Sequence, residues 1–417
     1  MTRMPPSQNR IIFIGTLSDG DRTCRSARRE SEARRTQRAH IHDASLLLDS
    51  YRATLMPADK IYAQFVDGLP SMTGKCIAIT GTTSGTGYWC ARAAAKKGAS
   101  AILLLNRKSE RSDRTAAELT KDAPSAKIFA VECDLTSFDS VKRGAADAKT
   151  YCDPFGGIDV LLCNAAIGQM PDVRTVDGFD LQVQTNHLSH ALLVEELMPC
   201  LEAAAKVRTE SRIVFVSSGA RFFPFCDEVV SFGGKHFERC EPGALGGNTT
   251  TMKLLTLKSP PSIRYNHSKL AMSTYAMALH EQLAARGSKV KSLVAEPGSS
   301  ATDFIKKGFE ISPGVKANAK LIQIMGAITA CAGMQQSAGD GACPIMAAGF
   351  DTDARSGDLY APSQTVGSFP GYVKGSPHKT ISSNQQVSGA QFSEQYTLNK
   401  EYQRLSWEKT RRAIGVA

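Results

Sequence analysis

The sequence predicts an α/β fold: a doubly wound parallel sheet in one domain, led by an Arg-rich extension. Three observations carry that expectation. Short β-type apolar runs alternate with helical stretches from Gly74 onward, a glycine-rich turn follows the first run, and helix-spaced apolar residues surround Tyr265. The runs are Cys76–Thr80, Ala101–Leu105, 128–131, 158–163, 213–216 and Val290–Ala295. Near-continuous apolar strands separated by helices indicate a sheet covered on both faces.

Size and composition agree with this. The chain has 417 residues, 42% hydrophobic and 22% charged, enough for one large domain or two small ones. Eleven cysteines are scattered singly, without paired metal-ligand spacing, which reads as reduced, packed thiols and no metal. No apolar run reaches about 18 residues, so a spanning helix is not expected. The longest candidate, 321–334, is interrupted by Gln323, Gly326 and Thr329.

The net charge of +10 is uneven. Residues 1–40 carry nine arginines against Asp19, Asp21, Glu30 and Glu32, so nine minus four, or +5, lies there. The rest has no basic patch of the kind that binds nucleic acid. An Arg-rich, acid-poor leader fits a transit peptide, and equally a plain extension or a mis-assigned start. An intracellular location, cytoplasmic or organellar, is expected. Residues 41–73 read as a short helical lead-in, 74–365 as the main domain, and 366–417 as a tail with a terminal helix.

Thr80-Gly81-Thr82-Thr83-Ser84-Gly85-Thr86-Gly87 joins the first strand to a helix over 88–97. Glycines there allow a tight turn and close approach to a pyrophosphate, which rests on the positive helix end. The spacing predicts a Rossmann-type nucleotide site. Tyr265-Asn266-His267-Ser268-Lys269 sets a phenol and an ammonium four residues apart on one helix face. Met272, Tyr275, Ala276, Leu279 and Leu283 continue an apolar face. A nearby positive charge lowers a phenol's pKa, so the spacing predicts a Tyr265 tuned for proton transfer.

In this order the motifs resemble the short-chain dehydrogenase/reductase family. The glycine spacing is that family's T-G-x-x-x-G-x-G, and Tyr265 with Lys269 matches Y-x-x-x-K. Asn164-Ala165-Ala166 resembles N-A-G, with Ala166 replacing glycine. Pro297-Gly298 and Thr302 match P-G-x-x-x-T. The resemblance covers roughly 74–365. It implies Asn186, Ser218, Tyr265 and Lys269 as catalytic residues. It implies a cofactor held by Gly81, Thr83, Ser84, Gly85, Thr86, Gly87, Asp134, Leu135, Asn164, Ala165, Ala166, Tyr265, Lys269, Pro297, Gly298 and Thr302. Lys269 would also hold the nicotinamide ribose. The context of Asn186 and the closing Trp407-Glu408-Lys409-Thr410 resemble the retinol-dehydrogenase-like branch, which light-dependent protochlorophyllide reductases share. His187 and His190 read as packed.

The second strand ends Asn106-Arg107-Lys108, where an acid would bind the ribose hydroxyls of NAD. Arg107 there suits a 2′-phosphate, so NADP is expected over NAD. The implied activity is hydride transfer between nicotinamide and a carbonyl or alcohol. Residues 219–262 form an insertion with Phe222, Phe223, Phe225, Val229, Val230 and Phe232, read as a substrate-facing lid or a surface elaboration. Its aromatic content points to a small lipophilic substrate, retinoid-, steroid- or aldehyde-like. The alternatives are a light-driven protochlorophyllide-type reductase and a nucleotide-sensing scaffold. A homo-oligomer stays open.

Overall fold

The computed structural model describes residues 61–222, 235–248, 260–300, 336–365, 372–381 and 394–416. The described residues all belong to one compact unit, Pro57–Ala417. The Arg-rich leader and the apolar run 321–334 lie outside them.

The strands are β1 (Cys76–Thr80), β2 (Ala101–Asn106), β3 (Lys127–Glu132), β4 (Val160–Cys163), β5 (Ser211–Val216), β6 (Val290–Ala295), β7 (Leu359–Thr365) and β8 (Tyr372–Ile381). They form one sheet in the order β3-β2-β1-β4-β5-β6-β7-β8. Every pairing is parallel except β7 with β8. The order reverses between β1 and β4, the switch point where ligands bind in doubly wound sheets. The sheet therefore continues to Ile381, through residues that sequence alone assigns to the tail.

Period two along each strand splits the core in two. Cys76, Ala78, Leu103, Leu105, Leu161 and Phe215 face one cluster; Ile77, Ile79, Ile102, Leu104, Leu162 and Val214 face the other. The second cluster is closed by α1 (Tyr62–Gly68), α2 (Gly85–Lys96), α3 (Glu110–Asp122) and α7 (Ala338–Phe350). The first is closed by α4 (Phe138–Cys152), α5 (Ser189–Arg208), α6 (Pro260–Ala285) and α8 (Lys400–Ile414). Each fully buried Leu or Ile stabilises the fold by about 1.5–3 kcal/mol relative to exposure.

α6 departs from the expected one-faced helix. It begins at Pro260 and is buried nearly all round, including Ser262, Arg264, Asn266, His267, Ser268 and Ser273. The sheet lies on one side and α8 on another, where Tyr275 stacks on Trp407 with ring centroids 5.4 Å apart. Its polar positions are satisfied inside: Ser273 Oγ donates to Lys269 O at 3.0 Å and Ser406 Oγ of α8 donates to Ala271 O at 3.0 Å. Among the described residues no helix is long and apolar enough to cross a membrane.

Candidate active site

The glycine loop leaves β1 at the switch point and enters α2. Gly81 has φ +72 and Gly85 φ +64, in the left-handed region that favours glycine. A Cβ on Gly81 would lie 2.9 Å from Ala165, and one on Gly87 2.4 Å from Gly81 O and Asn164 Nδ2. The loop thus packs directly on the exit of β4. α3 and α4 are capped by the side chains of Ser109 and Ser137, but Ser84 makes no cap bond at α2. That half-buried, uncapped amino end, beside Thr83 and Thr86, fits a dinucleotide pyrophosphate.

Two polar side chains brace the loop. Asn164 Nδ2 donates to Thr80 O at 3.0 Å and Gly81 O at 3.3 Å, while its Oδ1 accepts from Thr86 Oγ1 at 2.8 Å. Asn106 is buried and engages Thr82 twice: its Oδ1 accepts from Thr82 N at 2.8 Å and its Nδ2 donates to Thr82 Oγ1 at 2.7 Å. Asn106 thus stiffens the loop, a role its place at the end of β2 did not disclose. Arg107, next in sequence, is exposed.

Thr80 joins this loop to the helix bearing Asn186. Its hydroxyl accepts from Asn164 N and Ala165 N, both at 2.9 Å, and lies 2.9 Å from His190 Nε2. His190 Nδ1 is 3.0 Å from Asn186 O, so the bonding pattern assigns the proton to Nδ1 and makes Nε2 the acceptor. Burial pushes His190 down to about 4, which keeps it neutral. His187 is likewise buried, pushed down to about 3, with Nε2 2.7 Å from Thr410 Oγ1.

Asn186 sits in a π-helical turn, Gln184–Leu188, a deviation frequent at functional sites. Its Oδ1 accepts from Ile167 N at 2.8 Å, and its Nδ2 donates to Ile167 O at 2.8 Å and Ser268 Oγ at 3.0 Å. The side chain is therefore committed to bracing the segment after β4. Ala166 lies in that segment outside the left-handed region, so its methyl costs no backbone strain. Asp134 Oδ1 accepts from Thr136 N and Oγ1, and Leu135 packs in the core. Pro297 O accepts from Ser300 Oγ and Gln336 Nε2, each at 2.7 Å, and Gly298 has φ +62. Thr302 lies outside the described residues. So do Phe223, Phe225, Val229, Val230 and Phe232 of the insertion, whereas Phe222 is buried.

At the exit of β5 the structure brings Ser218, Tyr265 and Lys269 together. Ser218's side chain hydrogen-bonds the Tyr265 hydroxyl. Lys269 Nζ donates to Val216 O at 2.7 Å and lies 5.9 Å from the Tyr265 ring centroid. The expected lowering of the phenol by Lys269 is not found in this state. Burial pushes Tyr265 up to about 12, against the Ser218 hydrogen bond and reinforced by Glu296. Burial likewise pushes Lys269 down to about 7. The i,i+4 spacing gave the proximity, but desolvation outweighs it on both groups.

Three charged residues near this site were not singled out from sequence. Arg264, directly before Tyr265, is buried and pairs with Asp180 at 3.1 Å and Asp172 at 3.7 Å. It also donates to Met170 O, Leu245 O and Gly247 O, pinning the insertion to the loop after β4. Arg221 and Glu296 form a buried ion pair beside Ser218. The signal was present in the sequence: Glu296 is an acid closing an apolar strand, and Arg264 an arginine amid a buried helix start.

Fold and site thus define a doubly wound α/β protein with a dinucleotide-type loop and a Ser-Tyr-Lys group at its switch-point end. Residues 75–235 match the short chain dehydrogenase family. An uncharacterized oxidoreductase of Schizosaccharomyces pombe is 30% identical over 241 residues, 57% of this chain and 64% of that protein. The human WW domain-containing oxidoreductase is 31% identical, over 54% of this chain and 49% of its own. Mouse polyprenol dehydrogenase is 28% identical, over 57% and 63%. The chain therefore spans roughly half to under two thirds of the length of these relatives. A crystal structure of an uncharacterized protein from Mycobacterium paratuberculosis shares the fold at a TM-score of 0.53, with 23% identity, over 84% of this chain and 97% of that one. Over these stretches the chain is similar to the short-chain dehydrogenase/reductase family.

Proposed function

We propose that this protein is an NADP(H)-dependent oxidoreductase acting between a carbonyl and an alcohol, on a small lipophilic substrate. The observation that carries the reading is the hydrogen bond between Ser218 and the Tyr265 hydroxyl, with Lys269 one helical turn on. The nicotinamide supplies hydride chemistry when bound. Gly81, Thr83, Ser84, Gly85, Thr86 and Gly87 would hold its pyrophosphate, and exposed Arg107 stands where a 2′-phosphate would be met.

The rest of the reaction is the work of side chains. Burial keeps the Tyr265 phenol protonated at neutral pH, so it can give that proton to the oxygen of a carbonyl being reduced. Ser218 holds the hydroxyl in place and, by turning its single O–H toward bound substrate, can donate to the same oxygen. Lys269, held near 7, can carry charge around neutrality. When charged it eases loss of the phenol proton, which the oxidative direction requires. Asn186 fixes the segment that closes the nucleotide side of the site.

The test is a panel of lipophilic aldehydes, ketones, steroids and retinoids scored by NADPH fluorescence in the dark. Consumption of NADPH by at least one carbonyl supports the reading. NADPH binding without turnover of any member, in either direction, would favour a nucleotide-binding role instead.

A further inference from the structure

Arg221 lies three residues beyond Ser218 and is 1% exposed. Its Nη1 donates to Ser218 O at 3.1 Å and to the carboxylate of Glu296, and its Nη2 donates to Glu394 Oε1 at 2.7 Å. Glu296 is 0% exposed and joins β6 to Pro297; Glu394 is 2% exposed and comes from the C-terminal segment just before α8. Thr380 Oγ1 of β8 donates to Glu394 Oε1 at 3.2 Å. Three separate parts of the chain thus meet on one guanidinium, which holds the backbone of the candidate catalytic serine.

The cluster is not charge-balanced. One guanidinium faces two carboxylates, and among the described residues Glu296 Oε1 and Glu394 Oε2 have no hydrogen-bond partner. Burial works against the guanidinium's charge, but Glu296 and Glu394 more than offset it, so Arg221 stays a cation. An ion cluster in a dry interior costs desolvation energy and is weak support for stability alone.

We propose that Arg221 and Glu296 are positioning residues for the Ser218–Tyr265 pair: Arg221 fixes the serine's backbone, and the Glu296 carboxylate that it holds adds to the electrostatic field at the phenol, with Glu394 as the second anchor. This rests on the reading of Tyr265 as proton donor. Among the described residues, the groups acting on Tyr265 include the Ser218 hydroxyl, Lys269 on its own helix and Glu296 at the end of β6, with Arg221 acting through Ser218 and Arg264 adjacent in sequence. Glu296 acts in the direction that keeps the phenol protonated, the same direction as burial. The C-terminal segment would then belong to the working site through Glu394.

Glu296→Gln keeps an oxygen for Arg221 and removes the charge. A phenol relieved of a neighbouring negative charge ionises at lower pH. The measurement is the pH titration of phenolate ultraviolet absorbance in the full chain. The Tyr265 signal is isolated by subtracting the matching Tyr265→Phe protein, and circular dichroism checks the fold at each pH. It needs neither cofactor nor substrate, so it stands apart from whether turnover is found. Glu296→Gln should ionise Tyr265 at lower pH than the parent, and Glu394→Gln should do so by less. Should Glu296→Gln not fold, Glu394→Gln decides. Midpoints equal to the parent's in the folded variants, with only a lower melting temperature, would reduce the cluster to structure and overturn the proposal.

Discussion

Asn106→Leu tests how the nucleotide loop is held. The substitution nearly conserves volume and deletes both bonds to Thr82, leaving its N–H and hydroxyl facing a methyl group. Thr82 is 0% exposed and Asn106 5%, so water cannot readily replace the lost partners. Each buried polar group left without a partner costs about 1–3 kcal/mol, giving a loss on the order of 2–6 kcal/mol for the pair. Asn106→Asp is the control. A carboxylate can accept from both Thr82 N and Thr82 Oγ1 once the hydroxyl rotates, so both bonds survive in a new polarity. Urea unfolding of the three proteins gives the stabilities, and fluorescence titration with NADPH gives the affinities. Asn106→Leu should be the least stable and bind NADPH weakest, with Asn106→Asp closer to the parent in stability. If Leu and Asp variants unfold at the same denaturant concentration, the loop does not depend on the Thr82 bonds and the argument fails.

Two further outcomes follow from the same geometry. Arg107→Asp should weaken NADPH binding strongly while NADH binding changes little, because only NADPH carries the 2′-phosphate; equal losses for both would remove Arg107 from cofactor selection. Lys269→Met should alter the pH dependence of stability in the cofactor-free chain. Lys269 is held near 7 when folded and titrates near 10.5 unfolded, so between these values the unfolded chain binds the extra proton and stability rises with pH. Calorimetry across pH 7–10 should show that slope in the parent and a flatter profile in Lys269→Met; unchanged slopes would mean Lys269 is not desolvated.

Much of the sheet could be read from sequence because its strands are buried on both faces. Cys76–Thr80 and Val290–Ala295 fall where their apolar runs do. β8 escaped because it is antiparallel at the sheet edge and reads Tyr-Val-Lys-Gly-Ser-Pro-His-Lys-Thr-Ile, without the apolar density of the others. α6 was misjudged because Ser268, Ser273 and Thr274 look like an exposed face. They turn inward by bonding to carbonyls one turn back or to neighbouring elements. The Tyr265–Lys269 spacing gave the right neighbours and the wrong electrostatics, since spacing carries no information about desolvation. Arg221, Glu296 and Glu394 stand at separations of 75 and 173 residues from Arg221, so only the fold reveals that they meet.

The most direct test of the central claim is the turnover of Tyr265→Phe with NADPH and a carbonyl that the parent reduces. The ring and its packing remain, and only the hydroxyl bonded to Ser218 is lost. The account predicts a melting temperature and NADPH affinity close to the parent's, with turnover reduced by about 10²-fold or more, the scale for losing a positioned acid. A Tyr265→Phe protein reducing the same carbonyl at a near-parent rate would contradict it and place the proton donor elsewhere.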